Sequence, residues 1–284
     1  MKTTHENAPI GVFDSGVGGL SILREIRREL PGENLIFVAD SGHAPYGDRD
    51  AEFIRQRALL ITRFLLAQGA KAIVVACNTA TVVAVDELRA CCTVPVVAVE
   101  PAIKPAAQGT KSGVIGVLAT SRTLSSSSVA RLCETHGQGV TFLLQPCPGL
   151  VERVERADLT SAATRSLLVS YLSPLLAAGA DTLVLGCTHY PFLMQLIREI
   201  AGPKVRIIDP AVAVAKELAR RLGSGPVSRS RREFATTRFF SSSSLCSVQT
   251  VMSALWGQCV TVHGVGTTDL AHATAFSSIA PTSS

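Results

Sequence analysis

The sequence predicts an α/β protein built from two similar three-layer domains, each with a mostly parallel sheet, that face one another pseudo-symmetrically across a cleft. Three observations predict it. Short apolar runs alternate with amphipathic stretches from Pro9 onward. Two of the runs end alike, AIVVACNTA at 72–80 and TLVLGCTHY at 182–190. Their surroundings also match: IGVFDSG and VIGVLAT lie upstream, Glu100-Pro101-Ala102 and Asp209-Pro210-Ala211 downstream. A chain that repeats its own order reads as a duplication. The boundaries fall near Glu100 and Asp209, so one domain takes 1–100 plus 210–284 and the other 101–209.

The elements follow in order. IGVFD is a strand, and Asp14 at its end leads into Ser15-Gly16-Val17-Gly18-Gly19, a turn that opens a helix. Free N–H groups at such a helix start favour a carboxylate. The turn lacks the third glycine of a dinucleotide fingerprint, so a nucleotide is set aside. LSILREIRREL spaces Leu20, Leu23, Ile26 and Leu30 helically and stops at Pro31-Gly32. NLIFVAD is the second strand. AEFIRQRALLITRFLLAQGA is a helix through Phe53, Leu60, Phe64 and Leu65 that ends at Gly69. AIVVACN, VPVVAVE, GVIGVLAT, TFLLQ, DTLVLGC and VRIID supply six further strands, and AVAVAKELARRL is a helix expected to return to the first half and close it. Beyond Ser224 the pattern lapses. SSSS at 241–244 and the terminal AHATAFSSIAPTSS read as atypical closing elements and a poorly ordered tail or altered reading frame, which would lower the stability of the first domain.

Composition excludes several classes. The 284 residues carry 27 Lys and Arg against 22 Asp and Glu, a net charge of +5. Much of the excess sits at Arg220, Arg221, Arg229, Arg231, Arg232 and Arg238, which read as a solvated helix end and loop; no nucleic-acid partner is expected. The start, MKTTHENAPI, has no apolar stretch or cleavage pattern, so a cytosolic location is expected. No membrane span is expected either, because Asn78, Thr79 and Asp86 interrupt the most apolar region. Eight scattered cysteines read as reduced thiols, and adjacent Cys91 and Cys92 do not have the spacing of a metal knuckle.

Ligands of open α/β sheets bind beyond the carboxyl ends of strands, where Cys77 and Cys187 both sit. Each is followed by polar residues, Asn78-Thr79 and Thr188-His189, which are poor core and good ligand contacts. Two facing halves would place one thiol on each wall. That suits inversion of a carbon centre, in which one group removes a proton from one face and the other delivers one to the opposite face. Thiols titrate near pH 8.5, so modest tuning yields one thiolate and one thiol. His189, two residues past Cys187, would share its side of an extended segment and could tune it. Two rival readings are a non-catalytic binder of an amino acid or dicarboxylate, for which paired thiols are unnecessary, and a thiol hydrolase, whose base usually comes from a separate element.

DSGVGGL (14–20), APYG (44–47), ACNTA (76–80), CPGLVE (147–152) and GCTHYP (186–191) together resemble the glutamate racemases of the aspartate/glutamate racemase superfamily, from about Pro9 to Leu222. The resemblance implies an isomerase that interconverts L- and D-glutamate without pyridoxal phosphate or metal, usually as a homodimer, and supplies D-glutamate for peptidoglycan. It makes Cys77 and Cys187 the acid/base thiols, with Asp14 assisting the first, His189 the second, and Glu152 as a nearby carboxylate. Implied substrate contacts are Asp14, Ser15, Tyr46, Gly47, Asn78, Thr79, Thr188 and His189, with Thr120 in addition. An aspartate or hydantoin racemase is the nearest alternative.

Overall fold

A computed structural model of the chain describes residues 7–223 and 235–265. Strands β1 (Ile10–Asp14), β2 (Leu35–Ala39), β3 (Ala72–Val75) and β4 (Val96–Ala98) lie in one sheet in the order β2-β1-β3-β4. A second sheet takes β5 (Val114–Ala119), β6 (Thr141–Pro146), β7 (Thr182–Leu185) and β8 (Arg206–Ile208) in the order β6-β5-β7-β8. The second order is the first one repeated, and all these pairings are parallel. β1, β2, β3 and β7 are buried at every residue. This is why their apolar runs are continuous instead of alternating.

Helices α1 (Leu20–Glu29), α2 (Ala51–Ala67), α3 (Asn78–Cys91), α4 (Ile103–Gly109), α5 (Ser121–Leu124), α6 (Ser127–His136), α7 (Leu150–Glu155), α8 (Ala162–Ala177), α9 (Met194–Ala201) and α10 (Ala211–Arg221) cover the sheets. α1 buries Leu20, Leu23 and Ile26 and packs against α10 through the opposing row Val214, Leu218. α2 is capped by Asp50, whose carboxylate accepts the Phe53 amide at 2.8 Å. It buries Ile54, Ala58, Ile61 and Leu65, while Phe53 and Leu60 are only half-buried. It ends before Gly69, whose φ of +78° is costly for any residue with a β-carbon. One apolar cluster joins β1 and β3 through α1 and α10 to α7 and β7, so the two sheets share a core.

The segment after residue 234 is more regular than its composition suggests. It contributes β9 (Thr237–Ser241), α11 (Leu245–Trp256) and β10 (Val262–Gly264), and both strands extend the first sheet in parallel beyond β2. Phe239 anchors them: its ring meets Phe37 at 6.5 Å and Trp256 at 5.6 Å, edge to face. Ser241 closes β9 in a buried position. Of the basic cluster, Arg220 and Arg221 pair with Glu217, and Arg238 donates to Gln68. Arg229, Arg231, Arg232 and the expected tail at 271–284 lie outside the described residues. Among the described residues no helix is long and apolar enough to cross a membrane.

Candidate active site

Strand order reverses at β1 and again at β5, because successive connections leave these strands in opposite directions. Such a reversal opens a crevice at the carboxyl ends. The first crevice presents Asp14 and Cys77; the second presents Thr120 and Cys187. The groups described below hang from these four ends and from the segments that follow β2 and β6.

Asp14 is fully buried, and its Oδ2 accepts the Gly19 amide at 2.6 Å and the Thr188 hydroxyl at 3.2 Å. Burial raises its pKa, against the opposing charge of His189. Cys77 follows β3 and caps α3, its Sγ accepting the Ala80 amide at 3.4 Å and donating to the Ser15 hydroxyl at 3.5 Å. Burial, and after it the charge of Asp14, pushes the Cys77 thiol far above its ordinary pKa. Cys77 is thereby held as a neutral thiol. The charge of Cys187 also reaches it, which places the two sulfurs in one electrostatic site.

Cys187 stands in a turn instead of the expected extended segment, with the Tyr190 amide bonding back to its carbonyl at 3.2 Å. The turn still brings His189 to it: Nδ1 lies 3.7 Å from Sγ. His189 Nε2 meets Glu155 Oε1 at 2.7 Å. Burial opposes a charge on this imidazole, but hydrogen bonds to Cys187 and Glu155 hold its pKa well above the usual value. With both nitrogens protonated, it donates to Glu155 on one side and to the Cys187 Sγ on the other.

The resemblance offers Glu152 as a carboxylate near the Cys187 side; the carboxylate that meets His189 is Glu155. Both lie on α7, but Glu155, one turn further on, reaches the imidazole, whereas Glu152 lines a small cavity of about 30 Å³ with Gly47, Thr120 and Cys147. Two amides of the glycine turn, expected to be free for a ligand, are already used: Val17 N–H donates to Glu155 at 2.7 Å and Gly19 N–H to Asp14. The turn is shaped to these neighbours: a β-carbon on Gly16 would overlap the Glu155 carboxylate, and one on Gly18 the His189 ring.

The remaining expected contacts are Asn78, Thr79, Thr120, Tyr46 and Gly47. Asn78 is buried, and neither its amide nitrogen nor its oxygen has a partner. Such a group is costly unless a ligand satisfies it. Thr79, Thr120 and Thr123 form a hydroxyl triangle with sides of 3.0 to 3.2 Å that joins α3 to α5 across the two sheets. Gly47 lets its loop approach Thr120 closely, as a β-carbon there would lie 3.0 Å from the threonine side chain. Tyr46 spends its hydroxyl on Asp40 at 2.5 Å, so it offers the cleft backbone groups. Asp40 also binds Arg57 through two hydrogen bonds, 2.7 and 2.9 Å. Cys77 and Cys187 are 4% and 7% exposed, so the cleft is closed over both thiols.

Two α/β sheets thus each bring a buried thiol to the site, one beside Asp14 and one beside His189. A family model described as Asp/Glu/Hydantoin racemase matches residues 10–218, and the chain belongs to that family. It is 53% identical over 257 residues to a glutamate racemase of Ectopseudomonas mendocina, covering 90% of this chain and 97% of the relative. Among solved structures, a glutamate racemase isoform from Bacillus anthracis superposes with a TM-score of 0.82 at 33% identity, over 93% of this chain and 99% of that one. The glutamate racemase of Francisella tularensis, solved with D-glutamate, gives 0.79 at 28% identity, over 92% and 98%.

Proposed function

We propose that the chain interconverts L- and D-glutamate by a two-base transfer of the α-proton between Cys77 and Cys187. The observation that carries this reading is the repeated pair of strand ends: equivalent strands β3 and β7 deliver one thiol from each sheet into one closed cleft, beside an unsatisfied Asn78. Relatives named for glutamate, and a relative solved with D-glutamate, support the choice of substrate. The partners set the resting protonation. Cys77 is a thiol because burial and Asp14 disfavour its charge, while Cys187 faces a charged His189 that can donate to a thiolate.

In the L-to-D direction the Cys187 thiolate takes the α-proton, and the electron pair left on the α-carbon accepts the Cys77 proton on the opposite face. Cys187 ends as thiol and Cys77 as thiolate; the D-to-L reaction reverses these steps. The orphan amide of Asn78 and the threonine triangle are placed to hold substrate carboxylate or ammonium while water is excluded. No step requires a cofactor. Release of D-glutamate for peptidoglycan synthesis, a cytosolic location, a homodimeric assembly and a lobe division near Glu100 and Asp209 belong to the same reading. The test is L-glutamate in heavy water, with the α-proton and circular dichroism followed together. Loss of optical activity with deuterium entering the α-position is expected; a silent L-glutamate alongside racemised aspartate or hydantoin would transfer the reading to that substrate.

A further inference from the structure

Glu155 is held by three donors, and two of them come from the opposite sheet. His189 Nε2 approaches Oε1 at 2.7 Å from its own half, but Val17 N–H donates to the same oxygen at 2.7 Å and the Ser41 hydroxyl to Oε2 at 3.1 Å. Val17 lies in the turn after β1. Ser41 lies in the turn after β2, immediately beyond Asp40, which Arg57 and Tyr46 fix in place. Each carboxylate oxygen therefore has its own matched donor from across the cleft, and Gly16 leaves space for no side chain but this one. If the lobes part, both cross-cleft donors leave together.

We infer that Ser41 and the Val17 amide are positioning groups that lock Glu155 onto His189 as the cleft closes, so that closure itself assembles the charged pair beside Cys187. The inference rests on the racemase reading. Its content is that the Glu155–His189 pair on the Cys187 side is complete only while the two sheets' ends meet across the cleft, as they do here. The titratable groups that face the imidazole are Asp14 from β1, Glu155 from α7 and Cys187 from its own segment. Among these, Glu155 is the one that Ser41 grips.

A held carboxylate favours the imidazolium. Loosening it lowers the pKa of His189, so the alkaline limb of kcat, where the imidazolium loses its proton, moves to lower pH. L- and D-glutamate are equal in energy, so kcat/KM must change by one factor in both directions and the pH profile is the diagnostic. The experiment measures glutamate racemisation across neutral and alkaline pH for the unaltered chain and for Ser41→Ala, Ser41→Cys and Ser41→Thr. Ser41→Ala is expected to lower kcat about tenfold, by loss of a hydrogen bond to a charged group, and to shift the alkaline limb downward. Ser41→Thr, which keeps the hydroxyl, restores both, and Ser41→Cys, a weaker donor, falls between. A racemising chain whose alkaline limb does not move in Ser41→Ala contradicts this inference alone. An unaltered chain that does not racemise glutamate contradicts the proposed function, and this inference with it.

Discussion

The proposed chemistry turns on single carboxylates. Glu155 and Glu152 stand three residues apart on one short helix, yet only Glu155 touches His189. Replacing Glu155 with Gln keeps the shape but removes the charge that holds the imidazolium, and kcat is expected to fall about 100-fold, a loss of the size seen when an acid/base group is disabled. Glu152→Gln should stay within about twofold of the parent, as substitutions outside a buried network do. Steady-state racemisation of the two variants checks this; equal losses would mean that the contact at His189 carries no weight. Asp40 acts on a different property. Burial alone would raise its pKa, but Arg57 holds it below the usual carboxylate range, so the pair contributes stability above the unfolded carboxylate pKa and loses it as pH falls through the lower folded value. Arg57→Leu leaves this buried charge with the Tyr46 hydroxyl and the His43 ring but no guanidinium, and should cost about 3 kcal/mol at neutral pH. Denaturant melts should show the gap from the parent narrowing in acid, where Asp40 becomes protonated; a gap independent of pH would refute the assignment.

At the scale of elements, much was legible in advance. The eight strands from IGVFD to VRIID are read correctly; for β1, β2, β3 and β7 the reason is that a parallel strand buried on both faces leaves an unbroken apolar run, which short stretches of β-branched residues make visible. Cys77 and Cys187 stand out for a similar reason, since each breaks an apolar strand at its end and the two breaks echo each other. What was not legible depends on tertiary geometry. LVERVER offers two carboxylates on nearly the same helical face, and no periodicity says which one meets a histidine from another loop. β9 and β10 escaped notice because TRFFS is short and flanked by serines, and VHG has no pattern at all; they become strands only because β2 offers them an open edge and Phe37 offers Phe239 a partner. The turn at Cys187 shows the converse, a right contact expected for the wrong reason. His189 reaches the sulfur around a turn, not along a strand.

For the whole molecule, the repeated strand order gives two walls, and the proposed two-base reaction needs both. The walls are joined across the cleft by Ser21 to the Thr188 carbonyl, by Thr188 to Asp14, by the threonine triangle and by Glu155. Both thiols are buried, so on the racemase reading substrate reaches them only when the lobes part. Glutamate, by favouring closure, should slow alkylation of Cys77 and Cys187 while leaving Cys91, Cys133 and Cys246 unaffected; mass spectrometry of labelled peptides reads this, and equal protection of all five would contradict it. The most direct measurement of the central claim separates the two thiols. With a 3-chloroglutamate stereoisomer, loss of the α-proton and of chloride needs a base on one face only and no reprotonation. Cys77→Ser and Cys187→Ser should each racemise glutamate poorly, yet Cys77→Ser should still eliminate from the L-configured substrate, through Cys187, and Cys187→Ser from the D-configured one, through Cys77. If both variants eliminate from the same enantiomer, one cysteine is only structural and the two-base account is wrong.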